Sequence, residues 1–458
     1  MTKKQHFGVA LTVLILVAMH FIPETQQLTT AAIRTICMLV AFLVMLITAP
    51  FRITHICFIF MGLMPILGVA PTLGAAVSGT ANPVVYFVIA SFGIAAVFTT
   101  LPLSKRILVY ILRKFGKNVK LMLLAMMSTA TLISGFVLSV PTCAVFMAIA
   151  LEFLELYENP EDKKRTGRAF MVAIPVATMI GAIMTPIGSS INLLALSELE
   201  AHTGMTITFV QWMAVGVPIA IVTLPVAWFF ILKIHKPTEI SSEMVKNFID
   251  NLEVPQKVSS AEISALVVIS IMLVLWVASS WVRSINIMVV ALLGASALCL
   301  PYIKALKFET FVNSISWDAV FLLATVISLG NLMVSNGVSN WIVSLLPVIN
   351  VSTPLLIAFA AVLVFAVLLV IPVAPSMIVI MAPPLIALAA GTGTSPMIIM
   401  LVAAICGCCC FLLPLDTVPL LTYSKGYYSI KDMFVSSLPI QVFLVIVMSI
   451  WFSVVTLL

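Results

Sequence analysis

Charge is what this chain has least of. Asp, Glu, Lys and Arg make up only 9% of its 458 residues, while 62% are hydrophobic; soluble domains carry about 25% charged residues. With a mean hydropathy of +1.23, a soluble globular protein is excluded. An integral membrane protein of many spans is implied, with little mass left for a soluble domain. No segment alternates apolar and polar residues like a membrane barrel strand, so the spans are α-helical. The eight cysteines show no paired metal-ligand spacing. Cys406, Cys408, Cys409 and Cys410 fall within an apolar run and read as small residues at a close helix contact. There is no HExxH, no GxSxG and no paired acid motif, and no His or Lys lies at the depth of Ser189-Ser190. The sequence thus offers no catalytic constellation, no organic cofactor and no resident metal. The net charge of +6 reports loop orientation, not an acidic partner such as nucleic acid.

What is present is length of apolar chain. Hydrophobic runs predict eleven spans, near 7–22, 31–49, 55–70, 83–101, 168–197, 208–232, 261–282, 285–301, 317–335, 397–423 and 433–456. Two further stretches, 121–157 and 354–391, are interrupted by proline, at Pro141 and at Pro372 and Pro375. Each is too long for one helix and too short for two full spans, since a span needs about 20 residues. Each is therefore expected to be a re-entrant hairpin of two half-length helices, its tip buried in protein. The first helix follows Lys3 and Lys4 without an evident cleavage site, and reads as a retained anchor. His235–Ser260 is the one extended polar segment, read as a cytoplasmic linker with one amphipathic helix.

Basic residues test the topology. With the N-terminus inside and each hairpin returning to its side of entry, 21 of the 23 Lys and Arg residues fall inside; only Arg34 and Arg283 fall outside. That bias is the positive-inside rule, and it places the C-terminus outside.

Two spans are broken. Pro186-Ile187-Gly188-Ser189 interrupts 168–197, and Pro414–Pro419, which contains Asp416 and Thr417, interrupts 397–423. The two halves of the chain align in order: Asn82-Pro83 with Trp317-Asp318, Ser104 with Ser339, Val140-Pro141-Thr142 with Ala374-Pro375-Ser376, the two breaks with each other, and Pro218 with Pro439. The expected organisation is an N-terminal helix and loop (1–30), a first repeat (31–232), the linker (233–260) and a second repeat (261–458). The repeats have opposite orientation, the pattern of a secondary transporter whose site lies at its broken helices.

An anion at such a site has no Lys or Arg in the expected core to meet it. Helix N-termini, worth roughly half a positive charge each, and backbone N–H groups remain. Thr142, Ser376, Ser189 and Thr417 can add hydroxyl donors, and Pro141 and Pro375 suit the first turn of a half-helix. Asp416 is a carboxylate at membrane depth and so a functional candidate. It can ligate Na+, exchange a proton, or cap a half-helix. Asp318 reads as a helix cap, Glu152 and Glu155 as a solvated or paired face, and Gly181, Gly188 and Gly407 as points of close packing or sharp bending.

Three segments carry a family resemblance: Arg168–Trp228 (RAFMVAIPVATMIGAIMTPIGSSINLLALSELEAHTGMTITFVQWMAVGVPIAIVTLPVAW), Ile315–Val343 (ISWDAVFLLATVISLGNLMVSNGVSNWIV) and Leu412–Pro439 (LLPLDTVPLLTYSKGYYSIKDMFVSSLP). They resemble the divalent anion/sodium symporter (DASS) family, from about residue 80 onward. The resemblance implies eleven spans and two re-entrant hairpins, scaffold and transport domains, a homodimer in the lipid bilayer, and transport of dicarboxylate, citrate or sulfate. The family's Ser-Asn-Thr tips read here Val140-Pro141-Thr142, preceded by Ser139, and Ala374-Pro375-Ser376. Its Thr-Pro-Pro-Asn breaks read Ser189-Ser190-Ile191-Asn192 and Thr417-Val418-Pro419-Leu420. One asparagine, Asn192, is retained. The expected substrate-binding residues are Thr142, Ser189, Asn192, Ser376 and Thr417; those for ion coupling are Asp416, Ser139 and Gly188. Na+ symport, H+ symport and anion exchange remain open, and an anion channel is the competing reading.

Overall fold

In the computed structural model the chain is built of helices, with no strand among the described residues, which are 2–25, 28–252, 255, 257–282, 284–344, 351–370 and 373–455. Pro372 and Arg283, invoked above for the second hairpin's break and for topology, lie outside the described residues.

Among the described residues, seven helices are long and apolar enough to cross a membrane: Thr30–Thr48, Pro83–Thr100, Phe209–His235, Ser260–Ala278, Trp317–Ser335, Ala374–Thr392 and Ile430–Val454. Shorter apolar helices occupy other expected spans, among them Ile53–Ile66, Ile287–Leu298 and Pro396–Cys408. Two helices carry charges that hydropathy alone passes over. Leu103–Phe115 buries Leu108 and Leu112 and leaves Arg113 and Lys114 in its last turn, where cations suit the helix dipole. The first broken helix starts at Pro160, capped by Asn159, well before the apolar run expected from 168; Glu161 and Asp162 occupy its first turn.

Both proline-interrupted stretches are helix pairs. Val119–Ser134 and Ser139–Leu154 make the first hairpin; Thr353–Val370 and Ala374–Thr392 make the second. At 1.5 Å per residue the arms are about 24 Å and about 27–29 Å long, most of a ~30 Å bilayer core rather than the half-length expected. Pro141 is the third residue of its arm and Pro375 the second. Both sit in a first turn, where no intrahelical N–H bond is lost.

The two broken helices form the centre of the molecule. Every residue of Ala169–Ala182 and of Ile398–Cys408 is buried. The second segments beyond each break cross over. Ser190–Thr203 packs on Ala374–Thr392 and Pro396–Cys408, whereas Thr417–Tyr423 packs on Ser139–Leu154 and Pro160–Ala182. Each half of the chain therefore completes the other's hairpin.

The polar linker is tied to the first hairpin's base. Its helix Ser242–Asn251 buries Val245, Phe248 and Ile249, and Phe248 meets Phe153 edge-on at 5.2 Å between centroids. Glu239 accepts from the Val119 amide at 3.1 Å, and Tyr157 donates to the Thr238 carbonyl at 2.6 Å.

Candidate functional site

A break in a buried helix frees carbonyls that must find other donors. In the first break Pro160–Ala182 ends, Pro186–Gly188 forms a single 3-10 turn, and Ser189 starts Ser190–Thr203 by accepting from the Ile191 amide at 3.2 Å. Asn192 lies completely buried. Its Nδ2 donates to the carbonyls of Ala182 (2.8 Å) and Thr185 (3.0 Å), and Trp212 Nε1 donates to that of Ile183 (2.9 Å). Gly188 is required sterically: a Cβ there would lie 2.5 Å from the Ala182 carbonyl oxygen.

The first hairpin tip is sewn to this break. The Thr185 hydroxyl donates to the Gly135 carbonyl. Ser134 Oγ donates to Thr178 O at 2.7 Å and Thr131 Oγ1 to Ala177 O at 2.8 Å. Ser139 Oγ lies within hydrogen-bond distance of Ser134 Oγ, at 3.2 Å. Thr142, 3% exposed, donates back to the Leu138 carbonyl at 3.2 Å.

The second break is displaced from its expected place. It runs from Cys409 to Asp416 rather than from Pro414 to Pro419. Pro414 lies inside the break, five residues beyond the C-cap Cys409, while Pro419 sits in the first turn of Thr417–Tyr423 and is tolerated there. Cys406 and Cys408 are helical as expected; Cys409 caps the helix and Cys410 lies beyond it. Asp416 is the N-cap of Thr417–Tyr423, accepting from the Val418 amide at 3.0 Å and from Thr417 Oγ1 at 3.1 Å. Asp416 also lines a narrow cleft of about 20 Å³ with Leu369, Ala374, Gly407 and Cys410. Ser376, two residues beyond Ala374, is 1% exposed and its buried Oγ has no hydrogen-bond partner among the described residues. That is unusual, because buried hydroxyls are nearly always bonded.

The two breaks meet. Cys408 Sγ donates to Asn192 Oδ1 at 3.1 Å, a Cβ on Gly407 would lie 3.0 Å from Ile191 Cγ2 and 3.2 Å from Met377 Cε, and Cys143, next to Thr142, reaches the Val418 carbonyl at 3.7 Å. The structure thus brings the second tip, both breaks and the second arm of the first hairpin into one junction. No Lys or Arg is among the residues placed there. The N-termini of Ser139–Leu154, Ala374–Thr392 and Ser190–Thr203 supply the positive end of three helix dipoles. Sequence reading missed the donors that close the breaks: Thr131, Ser134, Thr185, Trp212 and Cys408. Hydroxyls clustered near prolines in apolar runs were the available signal for the first three. Asp318 does not cap its own helix, which Ser316 caps; it accepts from the Thr54 amide at 2.9 Å and from the Thr54 hydroxyl, capping Ile53–Ile66 from across the fold. Glu155 pairs with Lys163 at 2.7 Å, as a surface acid would.

A profile of the sodium:sulfate symporter transmembrane region matches residues 3–458. The chain belongs to the sodium:sulfate symporter family. This symporter-family chain is a multi-pass membrane transporter, not an enzyme. It is 25% identical over 386 residues to a membrane protein of Cupriavidus necator, covering 79% of this chain and 73% of that one. It is 22% identical over 378 residues to the sodium-dependent dicarboxylate transporter SdcS of Staphylococcus saprophyticus, covering 77% and 72%. Two solved structures share its fold: the YdaH transporter of Alcanivorax borkumensis (13% identity, TM-score 0.55, 81% of this chain and 85% of that one) and MtrF of Neisseria gonorrhoeae (12% identity, TM-score 0.57, 99% and 94%).

Proposed function

We propose that this protein carries small dianions or trianions (dicarboxylate, citrate or sulfate) through the cytoplasmic membrane by alternating access, coupled to Na+. The observation that carries this reading is the meeting of two helix breaks at one buried junction, Cys408 against Asn192, with helix N-termini and no basic side chain around it. Such a junction offers an anion N–H groups and dipoles without a fixed cation, so the anion binds and leaves. The family and the sodium-dependent dicarboxylate relative support the choice of anion and coupling ion.

In this scheme Ser376, Thr417, Ser189, Thr142 and Asn192 face or frame the anion, and Asp416, Ser139 and Gly188 belong to the coupling-ion site. Ser376 carries the most weight, since its hydroxyl is uncommitted. Asn192 frames the site, its amide being held by the break. Asp416 offers Na+ a carboxylate with unwound carbonyls nearby, hard oxygen ligands of the kind such ions take; exchange of a proton at the same carboxylate is the alternative coupling. The two repeats, 31–232 and 261–458, are inverted, the N-terminus is inside and the C-terminus outside, and two copies pair in the bilayer.

Uptake of labelled succinate, citrate and sulfate into proteoliposomes, with sodium, pH and anion gradients imposed separately, tests this. Saturable uptake that follows the sodium gradient is expected. Counterflow without sodium would identify an exchanger, and currents of channel size would overturn the carrier.

A further inference from the structure

Only two carboxylates are buried among the described residues, Glu198 and Glu262. They are neutralised differently. Glu262 is paired with Arg106, a permanent cation. Glu198, in the second segment of the first broken helix, has one partner, His202, with Oε2 3.4 Å from Nε2 one turn on. Their side chains are 11% and 14% exposed. Histidine is the side chain whose charge changes in the physiological range, so this carboxylate has a switchable counter-charge.

Among the described residues, the elements packed on this helix offer no other. On their own helix the remaining acid, Glu200, is exposed. Ala374–Thr392 and the turn Pro186–Gly188 carry no titratable side chain, and Pro396–Cys408 carries only the thiols of Cys406 and Cys408, at its break end. Pro83–Thr100 contributes only Tyr86, which is half exposed. Trp317–Ser335 contributes Asp318, twelve residues and about 18 Å of helix from Gly330. At Gly330 that helix meets the pair: a Cβ there would lie 3.7 Å from Glu198 Oε1.

We infer that Glu198 and His202 form a proton-binding site, distinct from the anion and coupling-ion site at the breaks, whose single shared proton keeps the contact between Ser190–Thr203 and Trp317–Ser335 electrically neutral. With one proton the pair has no net charge, whether that proton sits on imidazole or carboxyl. A second proton leaves a net positive charge, and loss of the first a net negative one, in a place where an uncompensated charge is costly. Alternating access moves one bundle against another, so a helix contact that must slide or separate does so most readily while the pair is neutral.

The effect on rate rests on the transport reading above; the proton site does not. Initial uptake of labelled succinate and sulfate is measured between about pH 5 and 8 for wild type, Glu198→Gln and His202→Gln, at fixed ion gradient. A lone imidazole is neutral only toward alkaline pH, so E198Q is expected to slow as pH falls. A lone carboxyl is neutral only in acid, so H202Q is expected to be active at the acid end and to slow as pH rises. Displacement in opposite directions is the signature; displacement in one direction, or none, overturns the inference. A purely structural pair would lower both rates at every pH. Infrared titration of the purified protein supplies a readout without transport. H202Q should show a carboxylic-acid carbonyl band, growing toward acid, that the double variant E198Q/H202Q lacks. Absence of that band overturns the site. Its presence together with failure of all three proteins to take up either anion supports the site and counts against the transport reading.

Discussion

Replacing Asn192 by alanine separates structure from ligand binding at the junction. The side chain makes three hydrogen bonds, to Ala182 O, Thr185 O and from Cys408 Sγ, and is completely buried. Asn192→Ala leaves the Ala182 carbonyl without a donor and the Thr185 carbonyl with only the Gly188 amide at 3.3 Å. An unmet buried carbonyl costs about 1–3 kcal/mol, so the variant is expected to lose at least that much, a large part of the ~5–15 kcal/mol that holds a folded domain. Asn192→Asp keeps the volume but sets a carboxylate against two carbonyl oxygens, and is expected to be worse. Cys408→Ser retains a donor to Asn192 and is expected to be near neutral. The protein carries its own probe: Cys57, Cys143, Cys406, Cys408 and Cys409 are free and buried, so a thiol-reactive dye reports unfolding in detergent. A fall of several degrees is expected for N192A. A melting temperature within about one degree of wild type, accompanied by lost uptake, would refute the reasoning and make Asn192 a ligand-binding residue instead.

Asp416→Asn keeps an N-cap and is expected to melt as wild type does while uptake loses its dependence on the imposed ion gradient; an unchanged gradient dependence would remove Asp416 from coupling. Ser376→Ala deletes a buried hydroxyl that has no partner, so stability is expected to hold or rise by about 1 kcal/mol while the KM for the anion rises severalfold; an unchanged KM would place Ser376 off the substrate path. Gly181→Ala would set a Cβ 2.3 Å from Thr131 O and 2.9 Å from Ser134 Cβ. Overpacking costs about 1–3 kcal/mol and pushes the hairpin arm off the broken helix, so both a lower melting temperature and slower uptake are expected, whereas a silent variant would show that this contact yields.

Much of the fold is legible in sequence because hydropathy and proline act locally. Trp317–Ser335 is found at its expected limits, and both proline-interrupted stretches are helix pairs. Errors fall where local signals overlap. Pro414 and Pro419 look alike in sequence, yet one lies in the non-helical break and the other sits in a first turn, because a proline's cost depends on which N–H it removes. The start at Pro160 escapes a hydropathy reading since its first turns are charged. Asp318 was visible as a cap, but not the helix it caps, whose Thr54 lies 264 residues away.

By itself the sequence determined a helical membrane protein with two broken spans and two interrupted stretches, because a bilayer tolerates only long apolar runs and a break needs residues that a plain helix avoids. It also marked Asp416 and the tip hydroxyls as candidates. Only the tertiary structure decided which of them are occupied. Asn192, Ser189 and Thr142 are bonded to backbone, while Ser376 is not. Only packing carried each second segment across to the other half, set Cys408 against Asn192, and enclosed Glu198 with a histidine rather than an arginine. Those outcomes depend on contacts made across the whole chain, for which no window of neighbouring residues holds the information.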